Sequence, residues 1–427
     1  MNATSTTVDC VDVLIIGAGP SGTVLASLLV DSGLNVLVVE RAQFPRFAVG
    51  ESLLPQCLDV FEKAGMLDVV KAHAFQYKNG AVFEKGLDNR AEFDFSDAFT
   101  PGFGWAYQVK RAPFDKVLAD EAARKGVMLR FGTQVDDVQF DADHLDNGDV
   151  ACLLRDEQGQ PDEVRARFVV DASGPAQVLA KQLGLTQLTE QTPRSASVTH
   201  LRLKPGAQGF DENKVLISLH PEDPDRWYWL IPFEDGTASV GFVGLSDWME
   251  ALEAPGETRE QRYQQIIREN PSVNRLVDVD DLYMPVGYIK HFSSKVERLY
   301  GERFALVGNS GDFLDPIFSS GIAIGLKSAE LCAPLIVRFL NGANVDWAEE
   351  YQKPVRDGID VFKAYVNAWY EGAFQKIIFS PVQPKSIREM VCSILAGYAW
   401  DQNNPLVNDC QKRLAMLLEM CNAEMSA

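Results

Sequence analysis

Three glycines and one acidic residue near the N-terminus have the types and the spacing of a dinucleotide-binding turn. Gly17, Gly19 and Gly22 follow an apolar run, and Glu40 comes 18 residues after the last of them. In such a turn the first glycine permits a tight bend, the second lets the backbone approach a pyrophosphate, and the third lets a helix pack closely against the strand. A carboxylate at that distance can accept hydrogen bonds from a ribose diol. The pattern predicts a bound dinucleotide; the alternative is a strand–helix turn that needs glycine for steric reasons alone.

A strand, a helix and a second strand are predicted around this turn. Residues 11–16 are apolar and rich in β-branched side chains, which is typical of a buried strand, and 24–29 continue as a helix. Residues 35–39 form a second apolar strand that ends at Glu40. The N-terminus of the helix offers unpaired N–H groups and the positive end of the helix dipole to a phosphate.

The chain is predicted to enter this α/β domain three times, because 166–174 and 303–340 have the same character as 11–41. A nicotinamide-dependent dehydrogenase usually needs one entry, whereas three suit a cofactor domain interleaved with a substrate domain. The third entry has a glycine-rich turn at Gly308 and a helix over 321–340, capped by Ser319 or Ser320. Aimed at the N1–C2=O edge of an isoalloxazine, the N-terminus of that helix would stabilise an anionic reduced flavin, so FAD is favoured over NAD.

The rest of the chain divides by its patterns. Residues 55–72 have the pattern of one helix, 75–83 alternate like one strand, and 190–300 are dominated by strands. We therefore expect an α/β fold in three parts. These are an FAD-binding Rossmann-like domain (1–75, 100–180 and 296–345), an antiparallel-sheet substrate domain (76–99 and 181–295) and a helical C-terminal region (346–427).

Composition and charge argue against several classes of function. The 427 residues include 40 basic and 60 acidic ones, and the net charge of −20 argues against binding of nucleic acid or an anionic membrane. The N-terminus does not have the pattern of a signal peptide, and no uncharged apolar run reaches the roughly 18 residues of a membrane-spanning helix. The seven cysteines contain no C-x-x-C pair, and the five histidines have no metal-ligand spacing. We expect reduced thiols, no metal and a cytoplasmic enzyme.

Five segments, spread along most of the chain, match the motifs of one enzyme family. They are GAGPSG with Glu40, VGESLLP (49–55), KNGAVF (78–83), WYWLIP (227–232) and GNSGDFLDPIFSSG (308–321). The fourth is a full match to W-x-W-x-I-P and is the most specific. On these motifs the chain resembles the flavin-dependent halogenases of tryptophan, pyrrole and phenol type, within the FAD-dependent oxygenase superfamily. The resemblance implies a cofactor domain of the para-hydroxybenzoate-hydroxylase type.

The resemblance also implies a reaction. Reduced FAD, supplied by a separate flavin reductase, reacts with oxygen, and chloride or bromide is oxidised to hypohalous acid. The acid passes through a tunnel to a lysine, matched here by Lys78, and an electron-rich aromatic or heteroaromatic ring is halogenated. The substrate is either a free small molecule or a ring tethered to a carrier protein.

Four residues are matched to the catalytic centre by this resemblance. Lys78 would hold the oxidant, and desolvation between aromatic neighbours would favour its neutral amine. Asp315 would take the ring proton or orient the oxidant, and Trp227 and Trp229 would wall the tunnel. Each has a plainer alternative: a surface lysine, a turn residue that bonds its own backbone, and two core tryptophans.

Further residues are matched to the cofactor and the halide. Arg111 corresponds to an arginine beside the flavin, and Asp171 with Gly174 to the second cofactor segment. The backbone N–H groups of Ser320 and Gly321 correspond to the halide pocket, which suits a weakly hydrated anion. The full cofactor set is Gly17, Gly19, Pro20, Ser21, Gly22, Glu40, Arg41, Ser52, Arg111, Asp171, Gly174, Gly308, Asn309, Gly321 and Ile322.

Two positions depart from the commonest family pattern, and other functions stay open. Arg226 stands where many relatives have glycine, and Asn309 stands where hydroxylases have aspartate. An FAD-dependent aromatic monooxygenase or an ene-type reductase of the same superfamily is the alternative enzyme. A flavin-binding carrier or sensor without catalysis is a third hypothesis.

Overall fold

The computed structural model describes residues 10–140, 149–189, 191–206, 209–252, 256–381 and 383–424. The strands of these residues, in chain order, are β1 (Cys10–Ile16), β2 (Val36–Glu40), β3 (Gln76–Lys78), β4 (Gly80–Lys85), β5 (Asn89–Asp94), β6 (Ala106–Gln108), β7 (Met128–Phe131), β8 (Thr133–Gln139), β9 (Val150–Asp156), β10 (Pro161–Asp171), β11 (Thr186–Gln187), β12 (Arg194–Leu203), β13 (Lys214–Leu219), β14 (Trp227–Pro232), β15 (Thr237–Leu245), β16 (Val277–Leu282), β17 (Gly287–Ile289), β18 (Lys295–Val296), β19 (Tyr300–Gly301) and β20 (Phe304–Leu306).

The helices fall between these strands and at the C-terminal end. In chain order they are α1 (Pro20–Val30), α2 (Pro55–Lys63), α3 (Leu67–Ala72), α4 (Arg111–Arg124), α5 (Val178–Gln182), α6 (Ser246–Ala251), α7 (Arg259–Glu269), α8 (Pro271–Asn274), α9 (Ser320–Leu340), α10 (Lys353–Tyr370), α11 (Ala373–Ile378), α12 (Lys385–Leu395) and α13 (Cys410–Glu424). A π-helical turn over Ala348–Gln352 leads directly into α10.

The first large sheet brings together the three segments predicted to enter the α/β domain. Its strand order is β19-β20-β10-β1-β2-β7, and the pairings from β20 to β7 are all parallel. The central strands β1 and β2 and the C-terminal half of β10 are apolar because both faces of a parallel sheet are covered. The carboxyl ends of β1, β10 and β20 therefore lie side by side, each followed by a turn. The predicted α/β fold is confirmed, whereas the residue boundaries of its domains stay a prediction.

The second large sheet has the order β16-β12-β15-β14-β13-β4-β5 and is antiparallel except where β4 pairs with β13 in parallel. Its two faces have different partners. Phe83, Ile217 and Trp229 point to the face that shares one hydrophobic cluster with the first sheet, and Leu216 and Leu230 point to the opposite face. This alternation is the two-residue period of a strand, and it places every second residue of β14 toward the cofactor domain.

Two elements that were predicted to be continuous are each divided in two, so both predictions are wrong. Residues 75–83 do not form one strand, because the chain changes partner at Asn79: β3 pairs with β6 in a separate ribbon, and β4 joins the second large sheet. Lys78 therefore shares no strand face with Gly80 and Val82. Residues 55–72 form two helices separated at Gly65, whose φ of +65° is left-handed.

The C-terminal helices cover the end of α9. Phe362, Tyr365 and Trp369 follow the helical period along α10 and are all fully buried. Among the described residues, α9 is the one helix whose length and hydropathy would allow it to cross a membrane, but most of it is buried inside the protein. Its closest partner is α1, so α9 is a core helix of the cofactor domain.

We expect Gly241→Ala to destabilise the second sheet. A Cβ at this position would lie 2.2 Å from Trp229 Cζ2 and 2.6 Å from the Ser197 carbonyl oxygen, so the indole would have to move. The expected loss is about 1–3 kcal/mol in the free energy of unfolding, measured by chemical denaturation. Gly287→Ala is the control, because its Cβ would lie 3.5 Å from Val198 in ordinary contact. Equal stability of the two variants would contradict this packing.

Candidate active site

Two of the three glycines in the N-terminal turn are required by the protein's own atoms. Gly17 has a φ of +103°, and a Cβ there would lie 2.6 Å from the carbonyl oxygen of Ala172. A Cβ on Gly22 would lie 2.0 Å from the carbonyl oxygen of Gly17. Gly17 thus permits the bend and the approach of β10, and Gly22 permits α1 to pack onto the turn.

Gly19 has no such steric reason to be glycine. A Cβ there would meet no atom nearer than Arg46 Nη2, at 3.8 Å. Gly19 is the N-cap of α1 and Pro20 is its first residue, so the helix N-terminus begins directly behind an open stretch of backbone. A turn shaped by internal sterics does not explain this glycine, whereas the approach of a pyrophosphate does.

The carboxylate predicted to bind a ribose lies at the end of β2. Glu40 is buried; its Oε2 accepts from the Ala18 amide at 3.1 Å and its Oε1 from the Ala42 amide at 3.0 Å. These bonds hold the carboxylate beside the glycine turn. Arg46 Nη2 lies 3.7 Å from Glu40 Oε2 and adds a positive charge at the same edge. Arg41, the neighbouring predicted contact, is exposed.

Arg111 holds the segment after β2 rather than standing free. It is the first residue of α4 and forms a bidentate pair with Asp115, at 2.7 and 2.9 Å. Its Nη1 donates to the carbonyl oxygen of Val49 at 2.6 Å. A Cβ on Gly50 would lie 3.1 Å from that Nη1 and 3.8 Å from Ile322 Cδ1. The guanidinium thus pins residues 49–50 next to the first turn of α9.

The second cofactor segment is organised by Asp171 at the end of β10. Its carboxylate accepts from the amides of Ser173 at 2.8 Å and Leu179 at 2.7 Å, and burial raises its pKa. The Ser310 hydroxyl donates to the Asp171 carbonyl oxygen at 2.5 Å. Gly174, in the turn that follows, has a φ of +62°. Asp171 therefore shapes the turn through its own backbone bonds.

The third segment packs against the first through a serine. A Cβ on Gly308 would lie 2.8 Å from Ser21 Oγ, and one on Gly325 would lie 2.3 Å from the same atom. Both glycines make room for α1 beside α9. Asn309 lies against Gly321, where a Cβ would be 3.8 Å from the amide oxygen of Asn309.

The N-terminus of α9 has no side-chain cap. Ser319 is its N-cap, with a left-handed φ of +57°, but its hydroxyl makes no capping hydrogen bond, so the predicted serine cap is wrong in that respect. Ser320 is buried at the first position of the helix and Gly321 follows it. No described side chain therefore caps the N-terminal amides of α9, and their N–H groups and the positive end of the helix dipole could interact with an anion or a flavin edge.

Lys78 is fully buried, which excludes the alternative of a surface lysine. Its ammonium nitrogen donates to Ser52 Oγ at 2.8 Å and to the Leu53 carbonyl oxygen at 2.7 Å, and it lies 5.2 Å from the centroid of the Phe95 ring. Burial lowers its pKa to about 7, an effect that the nearby Cys57 thiol partly opposes. Phe95 is the aromatic neighbour that the structure identifies. Ser52, predicted as a cofactor contact, uses its hydroxyl for the lysine.

Asp315 has both carboxylate oxygens engaged. Oδ1 accepts from the Ile317 amide at 3.0 Å, as the turn alternative predicts, and Oδ2 accepts from the Tyr370 hydroxyl at 2.7 Å. Burial raises the pKa of Asp315 to about 6, while the Tyr370 hydroxyl opposes the rise. Trp227 Nε1 donates to the same Tyr370 oxygen at 2.8 Å. The guanidinium carbon of Arg194 lies 3.4 Å from the centroid of the Tyr370 ring.

The structure brings some predicted catalytic residues together and separates others. Trp227 and Asp315 meet through Tyr370, whereas the hydrogen bonds of Lys78 go to Ser52 and Leu53 and none reaches Asp315. Trp229 Nε1 donates to Ser239 Oγ at 3.1 Å, and its ring lies 5.9 Å from that of Trp227. Sequence analysis missed Tyr370 and Arg194, which lie far along the chain from Asp315 and have no local motif.

Comparison with known proteins identifies the fold of the cofactor site. A family model described as "FAD binding domain" matches residues 10–351. The chain belongs to this FAD-binding family. The residues present fit FAD, because Gly19 leaves the backbone of the turn open to a phosphate, the Glu40 carboxylate lies beside that turn, and the N-terminus of α9 has no side-chain cap.

Curated relatives confirm the resemblance to flavin-dependent halogenases. A tryptophan 2-halogenase of Chondromyces crocatus is 28% identical, over 84% of this chain and 67% of its own. A 1H-pyrrole-2-carbonyl-[peptidyl-carrier protein] chlorinase of Pseudomonas fluorescens is 26% identical, over 96% and 94%. This protein is therefore an FAD-dependent oxidoreductase.

Solved structures have the same fold. A flavoprotein/dehydrogenase from Cytophaga hutchinsonii is 37% identical, with a TM-score of 0.92 over 98% of this chain and 100% of its own. A flavin-dependent brominase has a TM-score of 0.79 at 24% identity, over 97% of this chain and 100% of its own.

Gly19→Ala is expected to weaken FAD binding without destabilising the apoprotein. The new methyl group would meet no protein atom, but it would occupy the approach of the pyrophosphate to the turn. The dissociation constant is measured by quenching of FAD fluorescence, and stability by thermal unfolding of the apoprotein. Gly22→Ala is the matched control and should both weaken FAD binding and lower the stability of the apoprotein, because its Cβ would lie 2.0 Å from a carbonyl oxygen. Unchanged FAD binding in Gly19→Ala would contradict the assigned approach.

Tyr370→Phe is expected to raise the pKa of Asp315 above its value of about 6, because it removes the O–H that stabilises the carboxylate. The protonated carboxyl band, followed by infrared spectroscopy against pH, measures the change. Tyr365→Phe is the control: it removes, from the same helix, a hydroxyl that donates to the Leu406 carbonyl oxygen. It should lower the free energy of unfolding by a similar amount, about 1 kcal/mol, without moving the Asp315 band. Identical titrations in both variants would show that Tyr370 does not control this acid.

Proposed function

We propose that this protein is an FAD-dependent halogenase in which hypohalous acid, made from reduced FAD, oxygen and chloride or bromide, is relayed by Lys78 to an electron-rich aromatic or heteroaromatic ring. The observation that carries the proposal is the environment of Lys78. The amine is fully buried, and among the described residues its hydrogen-bond partners are one hydroxyl and one carbonyl oxygen.

This environment suits an amine that exchanges between two forms at neutral pH. With a pKa of about 7, the neutral amine and the ammonium are both populated. The neutral amine can form a nitrogen–halogen bond, and the ammonium can donate a hydrogen bond to hypohalous acid. A lysine paired with a carboxylate would remain an ammonium.

The segment of residues 49–53 supports a divided site. Gly50, on its N-terminal side, lies against Arg111 and Ile322, where α9 begins, whereas Ser52 and Leu53 contact the lysine. FAD, when bound, supplies oxygen activation. In the proposal, the chain's own residues then separate that chemistry from the organic substrate. The amides of Ser320 and Gly321 would hold the halide at the uncapped end of α9.

Trp227 and Trp229 are proposed to wall the passage. Both are buried on the face of β14 that points toward the cofactor domain. Their ring nitrogens bond to Tyr370 and Ser239, which fixes the indole planes. Asp315 is proposed to take up the ring proton, with Tyr370 controlling when its carboxylate is free.

The partners follow from the same proposal. Reduced FAD would come from a separate flavin reductase, in the cytoplasm. Two relatives are named for pyrrole rings on peptidyl-carrier proteins and others for free aromatic compounds, so both forms of substrate are to be tested.

A second candidate is an FAD-dependent monooxygenase or reductase. Two observations favour it: the 37% identity to a structure titled flavoprotein/dehydrogenase, and the presence of the buried Cys57 thiol near Lys78. A thiol near a halogenated amine would be oxidised by it. Halide-dependent gain of mass in the product distinguishes halogenation from both alternatives.

Lys78→Met is expected to reduce halogenated product by about 10²-fold or more while bound reduced FAD is still oxidised by oxygen. In the wild type, product formation should rise with pH through about 7, because nitrogen–halogen bond formation needs the neutral amine. Mass spectrometry of an aromatic panel with either halide measures product, and flavin absorbance measures reoxidation. Lys85→Ala, at an exposed position of β4, is the control. Normal halogenation by Lys78→Met would refute the relay.

A further inference from the structure

A carboxylate and an imidazole that sequence analysis left without a role are paired inside the protein. His200 Nε2 lies 2.8 Å from Glu51 Oε1, and both residues are buried. Glu51 belongs to the segment of residues 49–53, and His200 lies on β12 of the second large sheet. The pair therefore links the cofactor domain to the second large sheet.

Glu51 points away from Lys78. Its carbonyl oxygen accepts from the Val109 amide at 2.7 Å, and the next residue, Ser52, forms an antiparallel bridge with Gln108. Consecutive side chains of an extended segment point to opposite sides. Because Ser52 contacts Lys78, Glu51 lies on the other side of the segment. The preceding residue, Gly50, lies against the first turn of α9, where the flavin edge is proposed to bind.

Two atoms of the pair have unused hydrogen-bonding capacity. Glu51 Oε2 is fully buried and accepts no hydrogen bond from the described residues. An unpaired buried carboxylate oxygen is costly, so it indicates a donor supplied by a ligand or solvent. With Nε2–H donated to Oε1, His200 Nδ1 is left as an acceptor, and it has no partner among the described residues.

The surroundings of the imidazole are mainly aromatic. Phe47 and Phe233 lie 5.8 and 5.0 Å from its ring centroid. Among the described residues, the carboxylate that contacts the imidazole is that of Glu51. Lys110 lies behind Phe233, 5.3 Å from the centroid of that ring, and is neutralised by Asp235 at 2.5 Å. On β12 itself, Arg202 is paired with Asp281, and Tyr283 follows β16 with its amide on the His200 carbonyl oxygen.

We propose that Glu51 and His200 form a proton-transfer dyad on the flavin side of the 49–53 segment, in which His200 carries the proton and Glu51 positions its ring. The geometry is that of a carboxylate that fixes one ring nitrogen and leaves the other for exchange. The proposal rests on the flavin chemistry of the proposed function, but not on halogenation.

The proton balance explains what the dyad does. Oxidation of the anionic reduced flavin without halogenation follows FADH⁻ + O₂ + H⁺ → FAD + H₂O₂. With halogenation of an aromatic ArH by a halide X⁻, it follows FADH⁻ + O₂ + X⁻ + ArH + 2 H⁺ → FAD + ArX + 2 H₂O. In both cases the Nδ1–H bond of protonated His200 breaks, an O–H bond forms, and His200 regains a proton from solvent. The flavin supplies two electrons, and the ring with the halide supplies two more in the second case.

The test uses the full chain with FAD, reduced with dithionite and mixed with oxygen in a stopped-flow instrument between pH 5 and 9, without halide or aromatic. The wild-type reoxidation rate should fall as pH rises, because the reaction consumes a proton. His200→Gln can still donate to Glu51 but cannot deliver a proton, so its rate at low pH should be about 10²-fold lower and should not follow the wild-type pH profile. His220→Asn is the control, because His220 directly follows β13 of the same sheet and its ring accepts hydrogen bonds from two turn amides.

A second measurement does not depend on turnover. The visible absorption of bound, oxidised FAD should shift with pH in the wild type and in His220→Asn, and the shift should be absent in His200→Gln. Wild-type rates and pH profile in His200→Gln would overturn the dyad. Loss of FAD from that variant would also overturn it, by showing that the pair only holds the cofactor site together. A missing halogenated product in the wild type would refute the proposed function and leave this test unaffected.

Discussion

The candidate site depends on a buried amine that has no carboxylate partner in the part of the chain that the structure describes. Lys78 has a hydroxyl and a carbonyl oxygen for partners, and burial lowers its pKa to about 7. Lys214, whose side chain is also shielded from solvent, shows the opposite result: burial lowers the pKa of its amine, but Asp211, Glu92 and Asp94 outweigh that effect and raise it overall. Lys78 lies deeper in the protein than Lys214, and among the described residues it has no carboxylate partner of the kind that Lys214 has. Both differences favour the neutral amine of Lys78 and the ammonium of Lys214.

The segment of residues 49–53 positions this amine and divides the site. Arg111 holds its first part against the start of α9, and a bridge to Gln108 holds its second part in an extended conformation. Alternation along this short stretch then assigns Ser52 to the lysine and Glu51 to His200. The amine of Lys78 and the imidazole of His200 therefore lie on opposite sides of this backbone segment.

The C-terminal helices contribute a residue that contacts both Asp315 and Trp227. Tyr370, the last residue of α10, donates to Asp315 and accepts from Trp227, and Arg194 of β12 stacks on its ring. Burial raises the pKa of the Tyr370 hydroxyl well above its ordinary value, so the tyrosine remains a donor and Asp315 the acceptor. The tail is thus part of the site. Its last helical residue before Glu371 links Asp315 to Trp227 through two hydrogen bonds.

Local sequence determined the elements whose chemistry is local. The apolar runs and glycine spacing around Gly17 and Gly22 predicted the first strand–helix–strand unit, since both glycines are required by contacts within a few residues or with the adjacent strand. The three entries into one parallel sheet were also predicted, because buried parallel strands have a continuous apolar pattern. Lys78, Asp315 and the two tryptophans came from motif resemblance, and their roles stay a proposal.

Tertiary structure alone decided which of these residues meet. The change of sheet at Asn79 is set by hydrogen bonds to distant strands. As a result the amine of Lys78 contacts Ser52, Leu53 and the ring of Phe95, partners that its local sequence does not indicate. Tyr370 and His200 have ordinary local contexts, and only long-range packing places them on Asp315 and Glu51. The sequence gives the type of each side chain and the periodic pattern of the residues around it. Its hydrogen-bond partner and its pKa depend on contacts between segments far apart in the chain, and those exist only once the sheets and helices have packed.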